Sequence, residues 1–347
     1  MSRSRLFLLI LLGCLVTFFS CSSGEGEFLD TATAVVLISG QYNGQACYWR
    51  VENGAVTRIS LPSSGTPSLA WDIAFSDGKV YTAGYYMTSL PCYWEDTAFK
   101  SVYPGAGGSA TITSLFVEGG IVFTAGNSFS GGINHYCYWI NTDKLISLLP
   151  IDNSNSTKAY QIRKKNDTLF ISGYFYNGSN NHSCYWRNGI RIDLTGGSGY
   201  DNTVKLAFTG NSLIVAGVNP GAQFKIWRDD IIVSEPGNNE LPINASFTTE
   251  YNYGLHATRS AIFICGRYGT NAAYYCYGQK LVVFPEANSQ ATGITTAGKS
   301  IFICGLIQSG ANYIPTLWTE TGRIDLESAA MPSTKTTAVI VVPRSKL

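Results

Sequence analysis

Residues 80–94 read VYTAGYYMTSLPCYW, and the two phrases in this stretch recur along the chain at a nearly constant interval. The first phrase, a short β-branched or aromatic run closed by glycine, ends at Gly40, Gly84, Gly126, Gly173, Gly217, Gly266 and Gly305, spaced 39 to 49 residues apart. The second phrase follows seven to eleven residues later and reads Cys-Tyr-Trp at Cys47, Cys92, Cys137 and Cys184. In the other three units it reads as Lys225-Ile226-Trp227, Cys276-Tyr277-Gly278 and Thr316-Leu317-Trp318. Six of the seven tryptophans thus share one repeat position, and Trp71 stands apart.

Two more strands complete each unit. Tight-turn dipeptides such as Asn53-Gly54, Asn188-Gly189 and Asp229-Asp230 follow the second phrase and lead into a third strand. Another strand precedes each glycine from the second onward, marked by an aliphatic residue eleven positions before it: Ile73, Leu115, Ile162, Leu206, Leu255 and Ile294. Four strands in about 44 residues, repeated seven times, predict an all-β, seven-bladed β-propeller over residues 35–342. The first unit lacks its innermost strand at the N-terminus, and residues 337–342 supply one at the C-terminus. Pairing of the N- and C-terminal strands then closes the ring and leaves no long open edge.

Composition agrees. Charged residues are 14%, aromatics 13% and apolar residues 45%, enough to fill a core and to exclude an intrinsically disordered chain. The formal charge of +1 argues against nucleic acid as an electrostatic partner. Taken together, the pattern A-x-x-I, V-Y-x-A-G, C-Y-W-x-N-G, I-x-L resembles repeats of uncharacterised bacterial secreted proteins and lipoproteins with a propeller architecture. That resemblance covers essentially residues 35–342. It implies a fold and an envelope location and brings no established activity. The Trp-Asp and double-glycine signatures of better-known propeller families are absent.

The first residues carry an address. A basic start with Arg3 and Arg5 precedes fifteen uncharged residues, 6–20, too short for a comfortable membrane span and suited to a signal-peptide core. The segment resembles a bacterial lipoprotein signal, with residues 1–20 removed, Cys21 lipidated and residues 21–34 serving as anchor and tether. Cys14, after Leu11-Leu12-Gly13, is the alternative lipidation site, although it leaves a shorter apolar core. The expected location is the bacterial cell envelope, on the outer membrane, with membrane contact through the lipid alone.

Few residues point to chemistry. Among the seven cysteines beyond the signal region, five read as one column: Cys47, Cys92, Cys137, Cys184 and Cys276. Column mates on separate blades are too far apart to bridge, so they read as buried thiols between blades. Cys265 with Cys276 is the one pair adjacency would allow to bridge. His135 and His182 each precede the Cys-Tyr-Trp phrase by two residues, an equivalence that duplication explains more simply than a shared metal. Asp72, Ser114, Gln161, Lys205, Gly254 and Gly293 form a polar but chemically mixed column near the central channel. Arg163-Lys164-Lys165 with Asn166-Asp167 reads as a solvated turn. No catalytic residue, metal site or cofactor is expected from motif or spacing. A propeller-type polysaccharide lyase or hydrolase is the competing reading.

The connections from the glycine phrase to the Cys-Tyr-Trp phrase, and those between blades, read as longer loops emerging on one face. Their Tyr, Asn, Ser and Gly content is that of adaptable recognition surfaces. The candidate ligand-binding residues are Tyr42, Trp71, Tyr85, Tyr86, Phe129, His135, Tyr174, Tyr176, His182, Tyr268 and Tyr313. The expected partner is an envelope protein or a glycan, bound by a module that docks or scaffolds it. Replacing Cys21 by Ala should move the protein from the membrane to the soluble fraction. Retention of Cys21→Ala with release of Cys14→Ala would instead assign the anchor to Cys14.

Overall fold

The computed structural model describes residues 34–347 apart from 107, 131–132, 149–156, 177–178, 195–202, 219–223 and 235–252. The expected signal segment 1–20 and both candidate lipidation cysteines, Cys14 and Cys21, lie outside the described residues. So does the 21–34 tether, except Ala34.

The described residues form seven four-stranded antiparallel sheets, and the protein is a seven-bladed β-propeller. In blades 2 to 7 the strands follow one another from the axis outward. Blade 2, for instance, runs through Ser68–Ser76, Lys79–Tyr86, Leu90–Glu95 and Ala98–Ser101. Blade 1 is built from both ends of the chain. Lys335–Pro343 is its inner strand and pairs antiparallel with Ala34–Tyr42, from Ala34↔Pro343 to Gln41↔Lys335. Closure by terminal strands is therefore the observed arrangement.

The recurrent glycine has a steric cause. In five blades the inner strand carries a β-bulge, with Trp71, Thr113, Tyr160, Thr292 or Thr337 as the extra residue. The bulge pushes a carbonyl of the inner strand onto the glycine of the second strand. A Cβ at Gly84 would lie 1.8 Å from the Leu69 carbonyl oxygen, and one at Gly126 would lie 1.9 Å from that of Thr111. On Gly40 and Gly305 the same hypothetical atom would also meet the Trp49 or Trp318 indole at 2.9 and 2.6 Å. Only glycine fits between a backbone oxygen and an aromatic ring. Bulge threonines then tie blade to blade: the Thr113 hydroxyl donates to the Ala159 carbonyl at 2.9 Å, and Thr337 donates to Ala70 at 2.7 Å.

The core is divided into seven wedges between neighbouring blades rather than collected in one mass. Trp94, fully buried, packs with Val35, Leu37 and Leu61 of blade 1, and Trp49 packs with Phe302, Cys304 and Leu317 of blade 7. For three of the column tryptophans the indole N–H is satisfied on the preceding linker, whereas the buried N–H of Trp186 has no acceptor among the described residues. Trp94 donates to the Pro62 carbonyl at 2.6 Å, Trp139 to that of Tyr103 at 2.7 Å, and Trp49 to Glu327 at 2.8 Å.

Blade 6 departs from the reading of its repeat. Gly266 pairs with Ala273, and Ile264 pairs with Tyr275, as Gly40 pairs with Cys47 and Ile38 with Trp49. The phrase equivalent to Cys-Tyr-Trp is thus Ala273-Tyr274-Tyr275, three residues earlier than Cys276-Tyr277-Gly278. Cys276 leaves the cysteine column, and Tyr275 takes the tryptophan's place against the blade 5 wedge.

Two stability outcomes follow. Removing residues 335–347 takes away the inner strand of blade 1 and exposes a sheet edge, so the truncated chain should melt far below the parent and aggregate. A truncated chain with unchanged melting would refute closure. Gly84→Ala should lose about 3 kcal/mol in urea denaturation, because backbone rather than a movable side chain blocks the new methyl.

Candidate functional site

The connections within blades are shorter than the sequence reading has them. The second strand runs on past its glycine and turns through Asn43 and Gly44 in blade 1, residues 87–89 in blade 2, Gly269 and Thr270 in blade 6, and Gly310 and Ala311 in blade 7. Asn43 and Gly44 have φ of 49° and 80°, the left-handed pair of a tight hairpin. Residues expected on loops therefore stand on rigid strand ends.

That placement sorts the aromatic candidates. Tyr86 and Tyr174 are buried at 9% and 6% exposure and belong to the core, correcting their reading as loop anchors. Tyr86 meets the Phe99 ring edge-on at 5.0 Å, and Tyr174 lies 5.9 Å from Tyr160. Tyr42, Tyr85, Tyr176 and Tyr313 are half-buried. Tyr42 stacks under the Arg58 guanidinium at 4.4 Å, beside a cavity of about 160 Å³ that Asn43 and Gln45 also line. Phe129 and Tyr268 are the open ones, 44% and 49% exposed. Met87, which sequence reasoning missed, is 50% exposed at the blade 2 hairpin tip. A single methionine outside every repeat column carries no signal that could have found it.

His135 and His182 are half-buried on the third strands of blades 3 and 4. The His182 ring stacks on Phe175 at 5.3 Å. No group of three or more His, Cys, Asp or Glu side chains converges among the described residues. All seven described cysteines are free and buried, including Cys265 and Cys276. Cys276 pairs with Phe263, two residues along the strand from Cys265. Burial pushes these thiols well up, Cys304 to about 12, so they are protonated and unreactive in the folded protein.

The polar column near the axis proves to be a set of clasps. The Leu115 amide donates to Asp72 Oδ2 at 3.1 Å, the Ile162 amide to Ser114 Oγ at 3.2 Å, and the Leu206 amide to Gln161 Oε1 at 2.5 Å. In each case the acceptor on one blade caps an inward-facing N–H on the next. The Ser114 hydroxyl also donates to Asp72 at 2.6 Å. Arg163 belongs to this network and not to a solvated turn. Its Nη1 donates to the Leu115 carbonyl at 3.2 Å and lies 3.4 Å from Asp72 Oδ2. Asn166 and Asp167 alone form the turn, with φ of 47° and 58°. A cavity of about 80 Å³ lies on the axis, bounded by Trp71, this network and the inner strands of blades 5 to 7 and 1. The Trp71 ring is covered by the Lys335 ammonium at 5.6 Å.

No protein-family model matches this chain, and no curated protein matches it with significance. Its functional reading rests on its own residues.

Truncating a wedge tryptophan should cost stability. Trp94→Ala should lose roughly 3–5 kcal/mol, seen as a lower urea midpoint. A maleimide probe should leave the folded protein unlabelled until unfolding. Cys276, whose pKa is raised by burial but lowered by the nearby Lys280, should be the first of the seven to react.

Proposed function

We propose that this propeller is a lipid-anchored module of the bacterial cell envelope, placed on the outer membrane, that docks or scaffolds a partner on the face carrying its second-to-third-strand hairpins. A closed ring of rigid blades is a platform consistent with binding. The observation that supports this face is the exposure of Phe129 and Tyr268 at strand ends held by ladder hydrogen bonds, and of Met87 in the turn between two such strands. Large side chains on a pre-ordered backbone lose little freedom on binding and serve as anchors. An envelope protein is the favoured partner, because separate apolar anchors on different blades suit an extended surface. A glycan is the second reading, favoured by the cavity beside Tyr42, where an aromatic ring and a guanidinium flank a polar hollow.

The test is a pull-down from solubilised envelope membranes alongside a polysaccharide panel, with melting curves for every variant. Phe129→Ala and Tyr268→Ala should each weaken capture about 30-fold if each is an anchor worth about 2 kcal/mol, while the melting temperature stays at the parent's. Loss with Tyr42→Ala and Arg58→Ala only, and only on polysaccharide, would transfer the site to the glycan reading. Capture unchanged in all these variants would sink the assignment of the face.

A further inference from the structure

The clasps of the central channel stop halfway round the ring. In blades 2, 3 and 4 the column holds Asp72, Ser114 and Gln161, each accepting an amide of the next blade. Blade 5 holds Lys205, which can only donate. Blades 6, 7 and 1 hold Gly254, Gly293 and Ala338, which offer no side-chain acceptor. The amides that should be capped remain: Leu255, Ile294 and Val339 pair with Ile264, Ile303 and Ile38 in the same register as Leu115 with Thr124. In that register the N–H turns away from the neighbouring strand and toward the axis. A Cβ at Gly254 would stand 2.7 Å from the Ile294 nitrogen, and one at Gly293 would stand 3.3 Å from the Val339 nitrogen. Neither glycine could carry even a methyl without displacing a neighbour, so in this part of the ring the inner strands pack backbone against backbone and no side chain of the column stands before these amides.

Three main-chain donors and one ammonium thus share one side of the axial cavity, with no acceptor of the column left for them. Lys205 makes no hydrogen bond or ion pair among the described residues, although it is only partly exposed. Buried donors without acceptors cost free energy unless something supplies acceptors. We propose that this arc is a binding site for a small monocarboxylate, its two oxygens accepting from the Lys205 ammonium and from the amides of Leu255, Ile294 and Val339.

Charge and volume choose the ligand class. Asp72, Arg163 and Lys205 are the charged side chains lining the cavity and sum to one positive charge, which a monoanion neutralises. The cavity of about 80 Å³ has room for roughly three waters, hence for an anion of a few heavy atoms and not for a sugar. Burial lowers Lys205 to about 8, partly offset by Asp72 and reinforced by Arg163, so the ammonium persists at neutral pH with Asp72 already ion-paired to Arg163. This inference does not depend on the hairpin face.

The probes are acetate and propionate, each against sodium chloride at equal ionic strength, with inorganic phosphate in parallel. Acetate should raise the melting temperature saturably, as a ligand that binds only the folded state does. Lys205→Met should melt no lower than the parent in carboxylate-free buffer and should lose the acetate response. In ¹⁵N-labelled wild-type protein, acetate should shift the amides of Leu255, Ile294 and Val339 while leaving those of Leu115 and Ile162 in place. That second measurement stands even if Lys205→Met fails to fold. An acetate response retained in Lys205→Met, no amide shift at the three positions, or a saturable response to phosphate alone would each overturn the proposal.

Discussion

One contact governs this architecture: the inner-strand carbonyl pressed onto the glycine of the second strand, with an indole on the same residue. The bulge that makes the contact gives the inner strand its extra turn. The glycine lets backbone approach backbone at a distance no side chain tolerates. Over Gly40, Gly173 and Gly305 the space is then closed by Trp49, Trp186 and Trp318. The unit thus pairs a glycine on one strand with a large ring on the next. Where Gly266 loses its tryptophan, Tyr275 still fills the wedge, with a smaller ring.

That contact also explains how the core is divided. Each tryptophan of the column faces the preceding blade, so apolar burial is spent between blades, and Trp94 and Trp139 pass their indole N–H to the linker that arrives from the neighbour. Burial and hydrogen bonding therefore act on the same pair of blades. Closure is the remaining requirement, and Lys335–Pro343 meets it by extending the ladder of Ala34–Tyr42 along nearly its whole length.

Inside the ring the polar groups obey a stricter rule, because the axis is crowded by seven inner strands whose amides point inward. Asp72, Ser114 and Gln161 answer that need with three different chemistries, and this is why the column looks inconsistent as a ligand ring. A carboxylate, a hydroxyl and an amide are equivalent as acceptors of one N–H. Lys205, Gly254, Gly293 and Ala338 are not equivalent to them, so the two halves of the channel differ in kind. Arg163 balances the charge that Asp72 brings.

Most of the fold was legible in the spelling of the repeats. The seven glycines, the tryptophan column, the aliphatic residue eleven positions upstream and the matching terminal strands define seven blades and their closure. Each reports a local steric need that only certain residue types satisfy. Blade 6 shows the limit of spelling: hairpin length varies between repeats, so a Cys-Tyr at residues 276–277 passed for the phrase that the register places at 273–275. The tyrosines show another. A Tyr beside a Gly reads as a loop, yet extension of the second strand sends Tyr86 and Tyr174 inward and leaves Phe129 and Tyr268 outside. Blade number and closure are written in residues that contact their own or adjacent strands, and sequence alone determined them. Whether Asp72, Arg163 and Lys205 share one cavity, and which amides go uncapped, only the tertiary structure decided, because those groups come from separate blades and meet only when the ring closes.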